Sequence, residues 1–241
     1  MGSERIHLFD TPLLVSRNMG LAVDQRAAKR VMDILISGIG IIITSPIMLI
    51  IAIAVKAYDR GPVFYFQDRL TLGGKPFKIC KFRSMCVDSE KNGARLASKH
   101  DSRITPVGHV LRNLHLDELP QLFNVFKGDM SLVGPRPERE SIMLEYEKEL
   151  PEFYYRLKVK AGLTGYAQVY GKYNTTPYDK LKLDLFYIEN YSFLLDIKLI
   201  FMTVKIFFQK EVSEGVDDRQ VNALKDSGEK RRTDRGDRGR H

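Results

Sequence analysis

Residues 34–55 read ILISGIGIIITSPIMLIIAIAV, 22 positions without a charge. About 20 apolar residues span the hydrocarbon core of a bilayer, so a transmembrane helix is the first reading. A secretory signal cleaved after Ala52-Ile53-Ala54 is opposed by the long polar stretch before the run. The length without charge also argues against a buried core helix. Ser45-Pro46 sits at the middle. Pro46 has no N–H and clashes with the carbonyl four residues back, so the helix must kink there, and the serine hydroxyl can satisfy a freed carbonyl. Each arm is then about 11 or 12 residues, roughly 17 Å, or half the hydrocarbon thickness. Arg26, Lys29 and Arg30 precede the run, Lys56 and Arg60 follow it, and basic flanks stay on the cytoplasmic side. A helix-break-helix that enters one leaflet and returns satisfies both flanks, and this re-entrant form is the favoured reading. A straight span satisfies only one.

The rest of the chain is not membrane-like. Its 241 residues suit one domain with a tail, and 44% hydrophobic content is ordinary for a globular protein. The net charge of +8 points to an anionic partner. Residues 209–241 hold nine Lys or Arg against eight Asp or Glu, so the excess lies in the body. That near-neutral tail and the apolar segment argue against nucleic acid as partner. Cys80 and Cys86 match no metal or redox spacing, and the five histidines are scattered, so zinc chemistry is not expected.

Four segments follow. Residues 1–28 form a polar lead-in or linker, 29–56 the membrane helix-break-helix, 57–208 a catalytic domain, and 209–241 a charged, disordered tail. Within the domain, VFYFQDRL and PFKICKFRSM flank Gly73-Gly74 and predict a β-hairpin with Lys78, Lys81 and Arg83 on a basic face or at the strand end. Residues 86–104 are unpatterned and read as a mobile loop. Helical periodicity appears over Val110–Leu114 and Leu119–Phe126, with Gly128 as a stop, then over 138–158, 181–187 and 194–208. The last helix, apolar with few charges, suits the membrane interface or the core, and permits a homodimer. The fold class expected is α+β, mainly helical, with a short hairpin and amphipathic interfacial helices.

The densest reactive residues lie in LRNLHLDELPQLFNVFKGDMSLVGPRPE, residues 111–138. Asp117-Glu118 precedes Leu119-Pro120, and proline favours the first turn of a helix, so the acids should stand at a helix N-terminus. Acids there are common caps, and on position alone that bland role is the better one. Their surroundings shift the weight. Arg112 is five residues upstream, and Arg136 sits in a rigid turn between Gly134-Pro135 and Pro137, which lowers the entropy cost of aiming its guanidinium. Arg83 adds a third cation. Guanidiniums, a helix N-terminus and paired carboxylates describe a phosphoryl-transfer site, where positioning and charge neutralisation do most of the catalysis.

The run from Lys29-Arg30 through Asp33, Ser45-Pro46, KFRSM, LDELPQLFNVFKGDMSLVGPRPE and KAGLTGYAQVYGK resembles the bacterial sugar transferase family, the monotopic polyprenyl-phosphate phosphoglycosyl transferases, over residues 27–208. The resemblance implies that Asp117 is a nucleophile toward the β-phosphate of a UDP-sugar, releasing UMP and leaving a phosphosugar-enzyme intermediate. Polyprenyl (undecaprenyl) phosphate then attacks to give polyprenyl-diphosphate-sugar, the first membrane step of surface polysaccharide (exopolysaccharide or capsule) or glycoconjugate assembly. It implies Glu118 as a ligand to Mg²⁺, and a location at the inner membrane with the domain facing the cytoplasm. Arg83, Arg112, Pro135, Arg136, Pro137, Lys29, Arg30 and Asp184 are the substrate-site candidates, and Ser45-Pro46 the membrane break. Adjacent carboxylates repel unless a cation lies between them, and Mg²⁺ prefers carboxylate and phosphate oxygens, which agrees. Residues 1–28 resemble the linker ahead of the catalytic domain in long members, which have further transmembrane helices upstream. The sugar (glucose, galactose or an N-acetylated one) is not legible. The competing reading is a membrane scaffold that binds acidic lipids and uses Asp117-Glu118 only as a cap.

Overall fold

The computed structural model describes residues 3–8, 11–16, 23–87, 89, 101–171 and 176–207, with side chains from residue 25 to residue 206 of these. The tail expected at 209–241 and most of the loop expected at 86–104 lie outside the described residues. The fold is α+β and mainly helical. Among the described residues the α-helices are α1 (Val23–Asp59), α2 (Pro106–Asn113), α3 (Gln121–Lys127), α4 (Glu140–Glu149), α5 (Tyr166–Tyr170), α6 (Pro177–Glu189) and α7 (Phe193–Phe207). Strands β1 (Ser3–Leu8) and β2 (Thr11–Ser16) pair antiparallel, so the polar lead-in holds a hairpin. Strands β3 (Phe64–Leu70) and β4 (Pro76–Phe82) form the predicted hairpin, and β5 (Ser131–Val133) pairs parallel with β6 (Gly162–Thr164). Those three-residue strands are too short to show alternation in sequence.

Helix α1 is 37 residues long with Pro46 inside it. The carbonyl of Ile42 loses its helical donor to Pro46, and Ser45 Oγ donates to that oxygen at 2.8 Å. From the residue before Ser45, Thr44 Oγ1 donates to the Gly40 carbonyl at 2.7 Å. The outer face exposes Ile42, Ile43, Leu49, Ile50 and Ile53, each at least 60% accessible. The opposite face touches the domain along its length. Arg30 donates to the Val125 and Phe126 carbonyls at 2.8 and 2.7 Å, capping the C-terminal end of α3. A Cβ on Gly38 would lie 3.4 Å from Phe126, and one on Gly40 would lie 3.3 Å from Leu122. Met48, Ile51 and Val55 pack with Phe82 and Leu111, and Asp59 pairs with Arg83.

The β3–β4 hairpin turns through Gly73 and Gly74, whose φ values of +67° and +75° suit residues without a Cβ. Phe77 and Ile79 point inward to the main core with Val125, Met130, Leu132, Phe153, Leu181, Leu185 and Tyr187. The single helix expected over 138–158 is two elements, because Pro151 cannot continue the ladder: α4 ends and a 3₁₀ segment, Pro151–Lys158, follows. Near the acidic pair the chain also departs from the expected helix start. α2 ends at Asn113, His115 then turns the chain with a φ of +52°, and Leu116–Glu118 form a 3₁₀ turn. α3 begins only at Gln121, so both acids precede it.

Candidate active site

The 3₁₀ turn presents Asp117 and Glu118 side by side, and the two carboxylates meet different surroundings. Lys81 Nζ, from β4, donates to Glu118 Oε1 at 2.7 Å. Arg136 Nη2 donates to the same oxygen at 2.5 Å, and its Nη1 to Oε2 at 3.3 Å. Burial alone would raise this carboxyl's pKa, but the Arg136 and Lys81 charges outweigh it and hold Glu118 well below the usual carboxylate range. Asp117 is 8% exposed. Among the described residues its carboxylate makes no side-chain hydrogen bond or ion pair. Burial pushes its pKa up, Glu118 adds to the rise, and the nearby Lys81 and Arg112 charges offset part of it. One acid is clamped and ionised; its neighbour is desolvated and open.

The turn that carries Arg136 is pinned at successive carbonyls. Gly162 N–H donates to Pro135 O at 2.9 Å, Arg156 Nη2 to Arg136 O at 2.9 Å, Arg69 Nη1 to Pro137 O at 3.1 Å, and Leu70 N–H to Glu138 O at 3.0 Å. The approach of backbones is close enough that a Cβ on Gly134 would stand 2.3 Å from the Lys160 carbonyl oxygen. Arg156 is 3% exposed, and its Nε donates to Asp184 Oδ2 at 2.7 Å. Glu138 collects Arg69, Arg156 and Lys180 around it. Ion pairs and a backbone hydrogen bond thus run from the core at Asp184 through Arg156 and the Arg136 carbonyl to Glu118.

Of the expected substrate residues, Arg136 and Arg112 stand by the acidic pair. Arg112 Nε donates to Ser84 Oγ at 2.9 Å while its charge acts on Asp117. The others hold different partners. Arg83, 7% exposed, pairs with Asp59 at the end of α1. Lys29 pairs with Asp196 and donates to Val133 O at 3.1 Å, where Tyr187 OH also donates at 3.2 Å. Arg30 caps α3, and Asp184 holds Arg156. Lys81 and Arg156 were not among the expected site residues. Parity could have found Lys81, since it lies on the same side of β4 as the inward-facing Phe77 and Ile79.

The family model described as "Bacterial sugar transferase" matches residues 24–210. The chain belongs to that family. It is 46% identical over 180 residues to the UDP-N-acetylgalactosamine-undecaprenyl-phosphate N-acetylgalactosaminephosphotransferase of Aeromonas hydrophila, covering 73% of this chain and 43% of that protein. It is 43% identical over 204 residues to the UDP-glucose:undecaprenyl-phosphate glucose-1-phosphate transferase of Klebsiella pneumoniae, covering 83% and 42%. A protein of the same description from Caulobacter vibrioides is 38% identical over 203 residues, covering 80% and 75%. The chain spans less than half the length of the first two relatives.

Proposed function

We propose that this chain moves a sugar-1-phosphate from a UDP-sugar to polyprenyl phosphate, with Asp117 as nucleophile. The observation that carries the reading is the contrast within the acidic pair: Glu118 is locked by Lys81 and Arg136, while Asp117 is buried and unengaged among the described residues. A desolvated, open carboxylate suits attack on phosphorus. An Asp117 oxygen bonds the β-phosphorus, the bond from that phosphorus to the bridging oxygen breaks, and UMP leaves with that oxygen. An oxygen of polyprenyl phosphate then bonds the same phosphorus and the Asp117 carboxylate departs, giving polyprenyl-diphosphate-sugar. Two displacements let a water-soluble donor and a lipid acceptor use one site in turn. Arg136 and Arg112 offset the charge of the phosphates.

The acidic pair fits Mg²⁺ as a metal shared with substrate rather than caged by protein. Mg²⁺ commonly takes one or two carboxylates and completes its shell with phosphate and water oxygens; Glu118 would hold it as the diphosphate draws Arg136 away, leaving Asp117 for the phosphorus. Bound there, the metal would neutralise diphosphate charge.

The contacts of α1 support a re-entrant anchor. Lys29 and Arg30 at one end and Asp59 at the other grip the same domain, and Gly38, Gly40, Met48, Ile51 and Val55 pack on it between them. A helix crossing the bilayer would hold about 20 residues away from a domain that lies on one side. Facing its bare isoleucines to acyl chains instead sets Asp117 near the headgroup layer, where a lipid phosphate lies, and the basic flanks favour the cytoplasmic leaflet.

The test is UMP release by detergent-solubilised chain across a panel of UDP-sugars, with polyprenyl phosphate and Mg²⁺. Release with one or more donors, its loss in Asp117→Asn, and a phosphosugar mass adduct on the wild type in the absence of acceptor are expected. Silence across the panel from folded protein overturns the reading, and equal activity in Asp117→Asn removes Asp117 from it.

A further inference from the structure

In the free chain Glu118 already has its cations. Its Oε1 accepts from both Lys81 Nζ and Arg136 Nη2, and its Oε2 from Arg136 Nη1. Lys81 and Glu118 side chains are only 20% and 18% exposed, so water screens the pair weakly. The local charge is already positive: two carboxylates, Asp117 and Glu118, face three cations, Lys81, Arg136 and Arg112. A divalent ion arriving alone would add to that excess beside Lys81. A divalent ion arriving on a diphosphate adds charges that cancel.

We infer that Lys81 is a resident counter-ion for Glu118, which keeps the free site poor in metal and makes metal entry conditional on the diphosphate. The inference rests on the transferase reading and goes beyond it, because it assigns a role to a residue outside the acidic pair and an order to binding. Lys81 sits on β4, whose backbone is fixed by pairing with Tyr65 on β3 and by Asn124 Oδ1 accepting the Cys80 N–H at 2.9 Å. The Lys81 side chain is only 20% exposed, against 40% for Arg136, and its amine lies 2.7 Å from Glu118 Oε1, which holds it there. Arg136 alone does not supply this control, since its side chain is 40% exposed and its fork can turn to phosphate while its backbone stays pinned.

Mn²⁺, followed by electron paramagnetic resonance on the full chain in detergent, serves as the probe. Without nucleotide, Lys81→Met should bind Mn²⁺ at least about tenfold tighter than wild type, the effect of one unit charge on a divalent ion about 6 Å away even at the dielectric of bulk water. Lys81→Arg should bind like wild type, and adding Glu118→Gln to Lys81→Met should abolish the gain. No gain in Lys81→Met, or an equal gain in Lys81→Arg, overturns the inference. Should Lys81→Met fail to fold, the wild type decides by thermal shift: Mn²⁺ alone should leave its melting temperature unchanged and Mn²⁺ with UDP should raise it, whereas an equal rise with Mn²⁺ alone overturns the inference. UMP release without the metal gain would sink this inference and leave the transferase reading; the gain without UMP release from any donor would do the reverse.

Discussion

Ser45 Oγ donates its hydrogen bond to the carbonyl of Ile42, the acceptor that Pro46 deprives of its helical partner. The two residues act as one device: proline breaks the ladder and the neighbouring hydroxyl repairs the polarity of the break. In apolar surroundings a bare carbonyl costs several kcal/mol, so the pairing decides whether α1 tolerates its proline.

A double-mutant cycle measures that coupling. With detergent chains covering this exposed face, Ser45→Ala alone should destabilise by about 1–3 kcal/mol, the cost of an acceptor left with neither donor nor water. In a Pro46→Ala background residue 46 regains its N–H, Ile42 regains its helical bond, and Ser45→Ala should cost a few tenths of a kcal/mol at most. Thermal unfolding in detergent micelles reads both. Equal costs in the two backgrounds would separate serine from proline.

Asp117 should show its burial in two ways. Burial holds its proton to higher pH than in the unfolded chain, so ionising it costs stability as pH rises from its unfolded pKa through its raised folded pKa. At neutral pH Asp117→Asn should therefore raise the melting temperature while abolishing turnover. Since the reaction needs the ionised form, the acid limb of kcat/KM should lie above the ordinary aspartate range of about 4. A limb at or below that range, or a less stable Asn variant, contradicts the assignment.

Arg156 and Asp184 are both almost fully buried, at 2% and 1% side-chain exposure. Removing one partner leaves a charge uncompensated. Arg156→Met or Asp184→Asn should each cost about 3–5 kcal/mol, and the double variant should cost less than the sum. Urea unfolding followed by circular dichroism tests this, with additivity as the contrary result.

Gly134 admits no side chain. Its Cβ would meet the Lys160 carbonyl oxygen and the Gly162 nitrogen at 2.3 and 3.0 Å, both backbone atoms that cannot rotate away. Gly134→Ala should separate β5 from β6, tilt the Arg136 turn and lower activity at least about tenfold, since an ångström of misplacement costs that much or more. Wild-type kinetics from the alanine variant would show that the turn has slack.

What was legible in the sequence was local. The apolar run with its proline, the Gly-Gly hairpin and the acidic pair with Arg136 lie within short windows, where periodicity and turn chemistry speak directly. Position within the window was less legible: His115 takes a positive φ that no pattern announces, so the acids lie in a 3₁₀ turn and not at the start of α3. The pairings were hidden because they join distant segments. Arg156 reads as one more charge in a Glu- and Lys-rich stretch until Asp184, 28 positions later, buries it. Lys29 and Arg83 look like free cations beside an anionic substrate until Asp196 and Asp59 take them. A sequence shows which charges exist but not which are already matched.

Asp33, well inside α1, accepts hydrogen bonds from Ser131 Oγ and the Leu132 amide at 3.1 and 2.9 Å, next to the pair formed by Lys29 and Asp196. Helix α1 is thus part of the globular body and not a handle fixed to it. Cutting away residues 23–59 to obtain a water-soluble enzyme would strip Asp196 of its cation and leave an orphaned amide beneath the Arg136 turn. Such a truncate should fail as a folded catalyst for reasons unrelated to lipids.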